Sequence, residues 1–120
     1  MAHPAAEPDT SLAELVEVGR FRQEIEALMS EKEAFDLYTS IAKNPYQGAL
    51  IKGTGGVRKL RWRGGGKGKR GGLRVIYYFH DEDMPTFLIT AYGKSEKDDL
   101  SQAGKNAMKA RIRELVSQYR

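Results

Sequence analysis

Two stretches of the sequence, VRKLRW at residues 57–62 and LRVIYYF at residues 73–79, are rich in the aliphatic and aromatic residues of β-strands. Successive side chains of a strand point to opposite faces, so Leu60 and Trp62 share one face of the first stretch. The opposite face is largely cationic and consists of Val57, Lys59 and Arg61. A strand with one apolar and one cationic face is typical of an antiparallel sheet that exposes one surface.

The segments around these strands predict a hairpin-rich sheet. GGGKGKRGG at residues 64–72 is too rich in glycine and charge to pack, which predicts a loop between the first two strands. A further β-rich run, TFLITAY at residues 86–92, follows the short connection HDEDMP. The second and third runs are therefore predicted to form the central hairpin of the sheet.

The N-terminal part predicts one strand and two short helices. Residues 12–18 are apolar and partly alternating, which predicts a first strand. Spacings of three and four residues then predict a helix whose buried face is Phe21, Ile25 and Leu28. Ser30 and Glu33 have capping-box spacing and predict the start of a second helix, which Asn44 ends because it precedes a proline. The predicted buried face of the second helix is Ala34, Leu37, Tyr38 and Ile41.

The C-terminal part predicts one more helix from about Ser101 to the end, with a face made of Met108, Ile112, Leu115 and Tyr119. The element order is then β-α-α-β-β-β-α. We predict an α+β fold, a small antiparallel sheet with an N-terminal helical hairpin and a C-terminal helix, the helices lying mainly on one side. Residues 1–11 are predicted to be a disordered leader, and residues 12–120 a single domain.

Composition excludes several classes of protein. The chain of 120 residues has no cysteine, which excludes disulfide scaffolds and thiolate metal sites. No run approaches the ~18 apolar residues of a membrane helix, and the start lacks the regions of a signal peptide. We therefore expect a soluble, cytoplasmic protein that does not contact a membrane.

The net charge of +4 hides an uneven distribution. Residues 1–36 contain 3 basic and 9 acidic groups, residues 37–80 contain 10 basic groups and no acid, and residues 81–120 contain 7 of each. A stretch of this length without a carboxylate indicates a polyanionic partner. The alternative is a solvated loop with a chance run of charge.

Other catalytic chemistries lack the residues or the context that they need. The two histidines, His3 and His80, have no second ligand of their type nearby, and a carboxylate site at residues 81–83 is less probable than a solvated turn. Residues 66–71 match GxGxxG, but a strand follows them where a dinucleotide-binding fold needs a helix. We therefore expect no metal and no cofactor. Clustered Arg and Lys groups remain, and these stabilise the charge that develops on a phosphate during RNA cleavage by its own 2′-OH.

Three ordered blocks, residues 53–62, 66–78 and 92–100, resemble the HigB branch of the RelE/ParE toxins, which belong to bacterial type II toxin–antitoxin pairs. The resemblance spans roughly residues 12–119. It implies a microbial-ribonuclease-like α+β fold and metal-independent cleavage of mRNA on the ribosome. It also implies a cognate antitoxin, usually a HigA-type helix-turn-helix protein.

The resemblance also implies roles for individual residues. Lys59 and Arg61 would hold the RNA backbone, with one of them acting as base, and Arg74 would stabilise the transition state. Lys94 and Lys97 would protonate the leaving group or bind RNA. The RNA-binding set comprises Arg58, Lys67, Lys69, Arg70, Tyr92 and Lys97. The arginine and tyrosine that RelE carries after the last strand are replaced here by Ser95 and, approximately, Ser101.

Two alternatives stay open from the sequence. One is a ParE-type toxin that poisons DNA gyrase, and the other is a non-catalytic RNA- or rRNA-binding module, for which a basic face suffices. A pure RNA binder is expected to expose aromatic rings for base stacking, whereas residues 77–79 are predicted to be core.

The resemblance also leads to two expectations that can be tested. We expect Arg74→Ala to remove toxicity without unfolding the protein. We expect the antitoxin to cover the cationic face or to displace an element beside it.

Overall fold

A computed structural model describes residues 12–63, 72–93 and 101–119. Within these ranges the chain forms five strands and three helices. The strands are β1 (Leu15–Glu17), β2 (Ala49–Leu50), β3 (Val57–Trp62), β4 (Leu73–Tyr78) and β5 (Thr86–Gly93). The helices are α1 (Phe21–Leu28), α2 (Glu31–Lys43) and α3 (Gln102–Tyr119). The predicted leader, residues 1–11, lies outside the described residues.

The sheet has the order β1-β5-β4-β3-β2. Strands β2 to β5 pair antiparallel, as predicted, and the α+β class is confirmed. Two details differ from the prediction. Strand β1 pairs parallel to β5, with Leu15 opposite Thr86, because two helices separate β1 from the rest of the sheet and return the chain to the far edge. The edge strand β2 has only two residues, too few to give a periodic signal in the sequence.

The helical hairpin forms as its sequence predicts. The Ser30 hydroxyl accepts a hydrogen bond from the Glu33 N–H at 3.2 Å, while the Glu33 carboxylate accepts one from the Ser30 N–H at 3.1 Å. This capping box satisfies two of the backbone donors that a helix start leaves unpaired. The predicted face of α1 is buried, and α2 ends at Lys43, directly before Asn44 and Pro45.

A carboxylate on α1 fixes the hairpin to the sheet. Strand β5 carries one extra residue, Ile89, between the partners of Ile76 and Tyr77, which makes a bulge. The Glu24 carboxylate accepts hydrogen bonds beside this bulge from the Thr90 hydroxyl at 2.9 Å and the Ala91 N–H at 3.1 Å. Charge-assisted bonds of this kind hold α1 at a defined place on β5.

Both faces of the sheet are covered, so the prediction that helices lie mainly on one side is wrong. Helices α1 and α2 pack on one face with Leu60, Leu73 and Val75. Helix α3 packs on the other face, where Ile112 joins a second cluster. This cluster contains Val57, Ile76, Tyr78, Met84, Phe87 and Tyr92. The physical reason is visible in β4, whose six residues are all buried, because a strand covered on both faces needs apolar side chains in both directions.

Candidate functional site

Two arginines and a tyrosine form a row across the three central strands. Arg61 on β3 lies directly opposite Arg74 on β4, and Arg74 lies directly opposite Tyr92 on β5. Opposed residues of neighbouring strands point to the same face, so the three side chains share the face on which α3 packs. Lys59 precedes Arg61 by two residues and shares this face as well. The pairing thus brings four of the predicted site residues together.

The residues of the row and the neighbouring Lys59 differ in exposure. Arg61 is exposed and Lys59 is half-buried. Arg74 is only 2% exposed and Tyr92 only 7%, so the sheet surface that the sequence predicts to be exposed is covered at these two residues. Lys59, Arg74 and Tyr92 are each already engaged in a polar, ionic or ring contact. The row therefore consists of an anchored inner part and one solvent-facing guanidinium.

The electrostatics of the row suit an anion. Like charges directly opposite each other on paired strands destabilise a sheet. An anionic group bound at Arg61 would offset the repulsion between Arg61 and Arg74. Guanidinium groups present planar forks of N–H donors that match the oxygens of phosphate. This end of the sheet can thus bind a phosphate group through Arg61, with Arg74 beside it on the neighbouring strand.

A glycine sets the register of the row. Gly72, immediately before β4, has φ of +74°, and a Cβ atom there would lie 2.4 Å from the Trp62 carbonyl oxygen. Only glycine accepts both the left-handed conformation and this close approach. Because Trp62 pairs with Leu73, the tight contact at Gly72 fixes the next pair, Arg61 with Arg74.

The same architecture occurs in a known toxin. No protein-family model matches the chain. A search of solved structures matches it to a double arginine-to-alanine mutant of Escherichia coli toxin RelE in the free state. The match has a TM-score of 0.55 and 19% sequence identity, and covers 84% of this chain and 97% of the RelE chain. The chain has a RelE-like fold. The fold that the resemblance of the sequence blocks implies is thereby confirmed.

Half of the site residues predicted in the sequence fall in two segments of the RelE-like domain that lie outside the described ranges. These segments are residues 64–71 and 94–100. The residues concerned are Lys67, Lys69, Arg70, Lys94 and Lys97, together with Ser95. The strand ends that lead into or out of these segments meet at one end of the sheet, because Trp62 pairs with Leu73 and Leu73 pairs with Gly93. The Arg61–Arg74–Tyr92 row lies one residue away from that end.

Arg58 lies on the other face of the RelE-like sheet. Its guanidinium donates to the Gly48 carbonyl at 2.7 Å and to the Tyr46 carbonyl at 3.0 Å, and lies 5.5 Å from the centre of the Tyr46 ring. These contacts hold the segment between α2 and β2. Arg58 therefore does not join Lys59 and Arg61, and we do not keep it among the RNA-binding residues.

The aromatic run of β4 is core, as predicted. Tyr77 and Tyr78 of β4 and Phe79, the next residue, are all buried. The Tyr77 hydroxyl donates to the Pro45 carbonyl and accepts from the Gly48 N–H, both at 2.9 Å, and burial raises the pKa of Tyr77. Rings fixed in this way anchor the chain that leads into β2 and do not offer a stacking surface.

His80 stands apart from the row. Its Nδ1 lies 2.9 Å from the Tyr78 hydroxyl and its Nε2 lies 3.3 Å from the Asp81 carboxylate, at the opposite end of β4 from Arg74.

Across the residues that the structure describes, no group of three His, Asp or Glu side chains is placed to hold a metal ion. None of the three described helices is long and apolar enough to span a membrane.

Two structural carboxylates escaped sequence reasoning. Glu24 bridges α1 to β5, and Glu17 on β1 accepts hydrogen bonds from the Tyr38 hydroxyl at 2.6 Å and from the Arg22 guanidinium. Burial, together with the bond to Glu17, raises the pKa of Tyr38. Neither contact has a spacing signal, because the partners are brought together only by the tertiary fold.

Proposed function

We propose that this chain is the toxin of a type II toxin–antitoxin pair and that it arrests translation by cleaving mRNA on the ribosome. The observation that carries the proposal is the cationic row Arg61–Arg74–Tyr92 on the sheet of a RelE-like fold. Residues 37–80 contain 10 basic residues and no Asp or Glu, which supports a polyanionic substrate. The HigB branch is part of this proposal, because the three sequence blocks favour it.

The proposed reaction uses the substrate's own nucleophile and no cofactor. The RNA 2′-oxygen attacks the adjacent phosphorus and loses its proton, the P–O5′ bond breaks, and the departing 5′-oxygen takes up a proton. The products are a 2′,3′-cyclic phosphate and a 5′-hydroxyl. The phosphate gains negative charge in the transition state, and positioned guanidinium groups stabilise that charge without having to reorganise.

We assign a role to each member of the site. Arg61 contacts the scissile phosphate, because its guanidinium is the exposed member of the row. Arg74 stabilises the transition state from a buried, fixed position, and Lys59 takes the proton from the 2′-OH. Tyr92 positions Arg74. Lys94 returns a proton to the leaving oxygen. Lys67, Lys69, Arg70 and Lys97 bind the RNA backbone.

The proposed regulator is a cognate HigA-like helix-turn-helix antitoxin. A cationic face that binds mRNA and ribosomal RNA is also the face that an inhibitor must neutralise, either by covering it or by displacing an element beside it. The acidic hairpin formed by α1 and α2 is not part of the proposed RNA surface.

One observation favours the two alternative functions, a gyrase-poisoning toxin and a non-catalytic RNA-binding module. The burial of Arg74 and Tyr92 is also compatible with a row that serves stability only. In that case the chain would be a ParE-type gyrase poison or a non-catalytic RNA-binding module that shares the RelE-like fold. The replacement of the RelE arginine and tyrosine by Ser95 and about Ser101 points the same way.

Induction of the full chain without a partner protein tests the proposal. We expect growth arrest and rapid cleavage of a translated reporter mRNA, with an untranslated copy of the same transcript left intact. Intact mRNA with normal growth would refute the proposal. Intact mRNA with gyrase-dependent DNA damage would establish the ParE-type alternative instead.

A further inference from the structure

An aromatic ring on the helical hairpin lies in solvent. Phe35 on α2 is 68% exposed, more than any other large apolar side chain that the structure describes. It borders a groove between α1 and α2 with a volume of about 390 Å³, which is lined on its apolar side by Ile25, Met29 and Ala34. Because the Phe35 ring is not packed in the core of its own chain, its apolar surface is left for a contact outside the chain.

The surroundings of Phe35 are acidic. Glu31 precedes Phe35 by one helical turn, and Glu26 lines the same groove from α1. Arg22 is the only base among the described residues that line this groove, and its guanidinium forms an ion pair with Glu17 at 2.9 Å. We call Phe35, Glu26 and Glu31 the Phe35 patch. A surface that fits it needs an apolar cavity with a positively charged rim.

A cavity of that kind lies on the opposite face of the sheet. It has a volume of about 380 Å³ and lies between α3 and the turn that leads into β3. Tyr78, Ile112 and Val116 supply its apolar lining, and Lys109 and Arg113, which are both exposed, supply its charge. No acid is found among the described residues that line it. We call it the α3 cavity. Since an apolar cavity of ~150 Å³ holds a benzene molecule, the α3 cavity has room for a phenyl ring.

We propose that the α3 cavity of one molecule binds the Phe35 patch of a second copy of this chain. The phenyl ring enters the apolar interior, while Glu26 and Glu31 face the two cations of the rim. Lys109 and Arg113 lie four residues apart on α3 and repel each other, and carboxylates of a second molecule would offset that repulsion. The two surfaces are thus apolar at the centre and opposite in charge at the rim, as in specific protein interfaces.

The position of the two surfaces determines the kind of assembly. Helix α2 packs on one face of the sheet and α3 on the other, so a molecule cannot fill its own α3 cavity. A contact between two different surfaces is heterologous and repeats head to tail, which leaves each pair with one free patch and one free cavity. Neither surface contains Arg61, Arg74 or Tyr92, so this inference does not rest on the proposed function.

Analytical ultracentrifugation of the full chain, freed of nucleic acid, measures the association. We expect the average mass of the parent protein to rise with its concentration. We expect the association constant to fall about tenfold between about 50 and about 500 mM salt, because salt screens the charges of the rim. A parent protein that stays monomeric up to about 1 mM would overturn the inference.

Two variants each remove one of the surfaces. Phe35→Ser removes the ring, and the double variant Lys109→Glu with Arg113→Glu gives the rim of the cavity the charge of the patch. We expect each variant alone to associate about 30-fold more weakly than the parent, as when an aromatic anchor at the centre of an interface is lost. Association of Phe35→Ser as strong as that of the parent would overturn the inference.

Matched controls carry the same kinds of change at exposed positions elsewhere. Leu12→Ser removes another exposed apolar side chain, and the pair Arg20→Glu with Lys43→Glu reverses two other charges. We expect both controls to associate within about twofold of the parent, since they lie outside the two surfaces. Controls that lose association as strongly as the two variants would contradict the assignment of the contact.

A mixture of the two variants tests the head-to-tail contact itself. Phe35→Ser keeps an intact α3 cavity and the cavity variant keeps its Phe35, so an equimolar mixture is expected to form pairs and to stop at two chains. Circular dichroism establishes that each variant is folded. A mixture that stays monomeric at concentrations where the parent associates would overturn the inference, because a heterologous contact must be restored in it.

Discussion

Arg61 and Arg74 are opposed across β3 and β4, yet their surroundings differ. Arg61 faces solvent, whereas Arg74 is 2% exposed and in contact with a partner. An exposed guanidinium contributes little to the free energy of unfolding, but a buried one carries both packing and paired charge. The two arginines therefore allow the contributions of catalysis and stability to be separated by substitution.

Arg61→Ala is predicted to reduce mRNA cleavage by about 100-fold, because it removes one positioned donor from the charged transition state. The free energy of unfolding is predicted to change by less than about 0.5 kcal/mol, as for most surface substitutions. Cleavage rates are measured in a cell-free translation reaction, and stability by urea unfolding. Arg63→Ala, a neighbouring exposed arginine just after β3, is the control and is predicted to keep more than a third of the activity. Full activity of Arg61→Ala would exclude Arg61 from the site.

Arg74→Ala is predicted to destabilise the fold by about 2–3 kcal/mol, because it removes a large side chain that is 2% exposed, together with its contact, and leaves a cavity. This adds a loss of stability to the expectation, made from the sequence, that the variant loses toxicity and still folds. Arg74→Lys keeps the charge and is predicted to recover about half of the lost stability. Thermal unfolding of both variants measures the effect. An unchanged melting temperature for Arg74→Ala would show that its burial does not contribute to the folded state.

At the scale of elements, the β3–β4 hairpin depends on Gly72. Gly72→Ala is predicted to cost more than 3 kcal/mol, because it combines a positive φ with a contact of 2.4 Å to a backbone carbonyl. Gly53→Ala is the matched control, since Gly53 also has a positive φ of +82° but meets only a flexible lysine at 3.6 Å. We expect Gly53→Ala to cost about 1 kcal/mol. Equal losses of stability in the two variants would contradict the role of Gly72 in the register.

The junction of β1, α1 and α2 predicts an alkaline instability. The raised pKa of Tyr38 means that the folded state favours the neutral phenol. Its stabilising contribution is therefore complete below the unfolded pKa of about 10 and is lost as the pH rises above it. Tyr38→Phe is predicted to cost about 1 kcal/mol at pH 7 through the lost bond to Glu17, and the difference from the parent is predicted to shrink between pH 9 and 11.

Urea unfolding at several pH values measures this difference. Tyr46→Phe changes a tyrosine that is 59% exposed and serves as the control, with a predicted effect below about 0.5 kcal/mol. A constant difference between the parent and Tyr38→Phe across the pH range would contradict the assignment of the raised pKa to this junction.

Most elements could be predicted from the sequence because their signals are local. The capping box of Ser30 and Glu33, the proline after Asn44 and the alternation in β3 each act over a few residues, and the structure agrees with all three. The parallel pairing of β1 and the position of α3 could not be predicted. They depend on which apolar faces of the sheet and helices pack against each other, and these contacts form only in the complete fold.

The site was predictable to a similar degree. Alternation places Lys59 and Arg61 on one face, and the strand pairing adds Arg74 and Tyr92. The sequence did not predict the burial of Arg74, because nothing local distinguishes a guanidinium in the core from one on the surface. It also counted Arg58 with the RNA-binding residues, although alternation already assigns that side chain to the other face.

At the scale of the molecule, charge divides the fold into two surfaces. Most of the helical hairpin, up to Asp36, lies in the segment that holds 9 acids and 3 bases, while Lys59, Arg61 and Arg74 lie in a segment with 10 bases and no acid. Such a division attracts a polyanion to one side and repels it from the other. For the proposed RNA substrate, this division predicts a preferred orientation before any specific contact forms.

Cleavage of a defined mRNA by the purified chain tests the account most directly. Primer extension is performed with and without ribosomes, and with the parent and Arg61→Ala. We predict cuts inside the translated region only when ribosomes are present, products with a 2′,3′-cyclic phosphate, and a rate about 100-fold lower for Arg61→Ala. Intact mRNA in every reaction, or cuts that Arg61→Ala makes as fast as the parent, would contradict the claim that the Arg61–Arg74–Tyr92 row cleaves RNA.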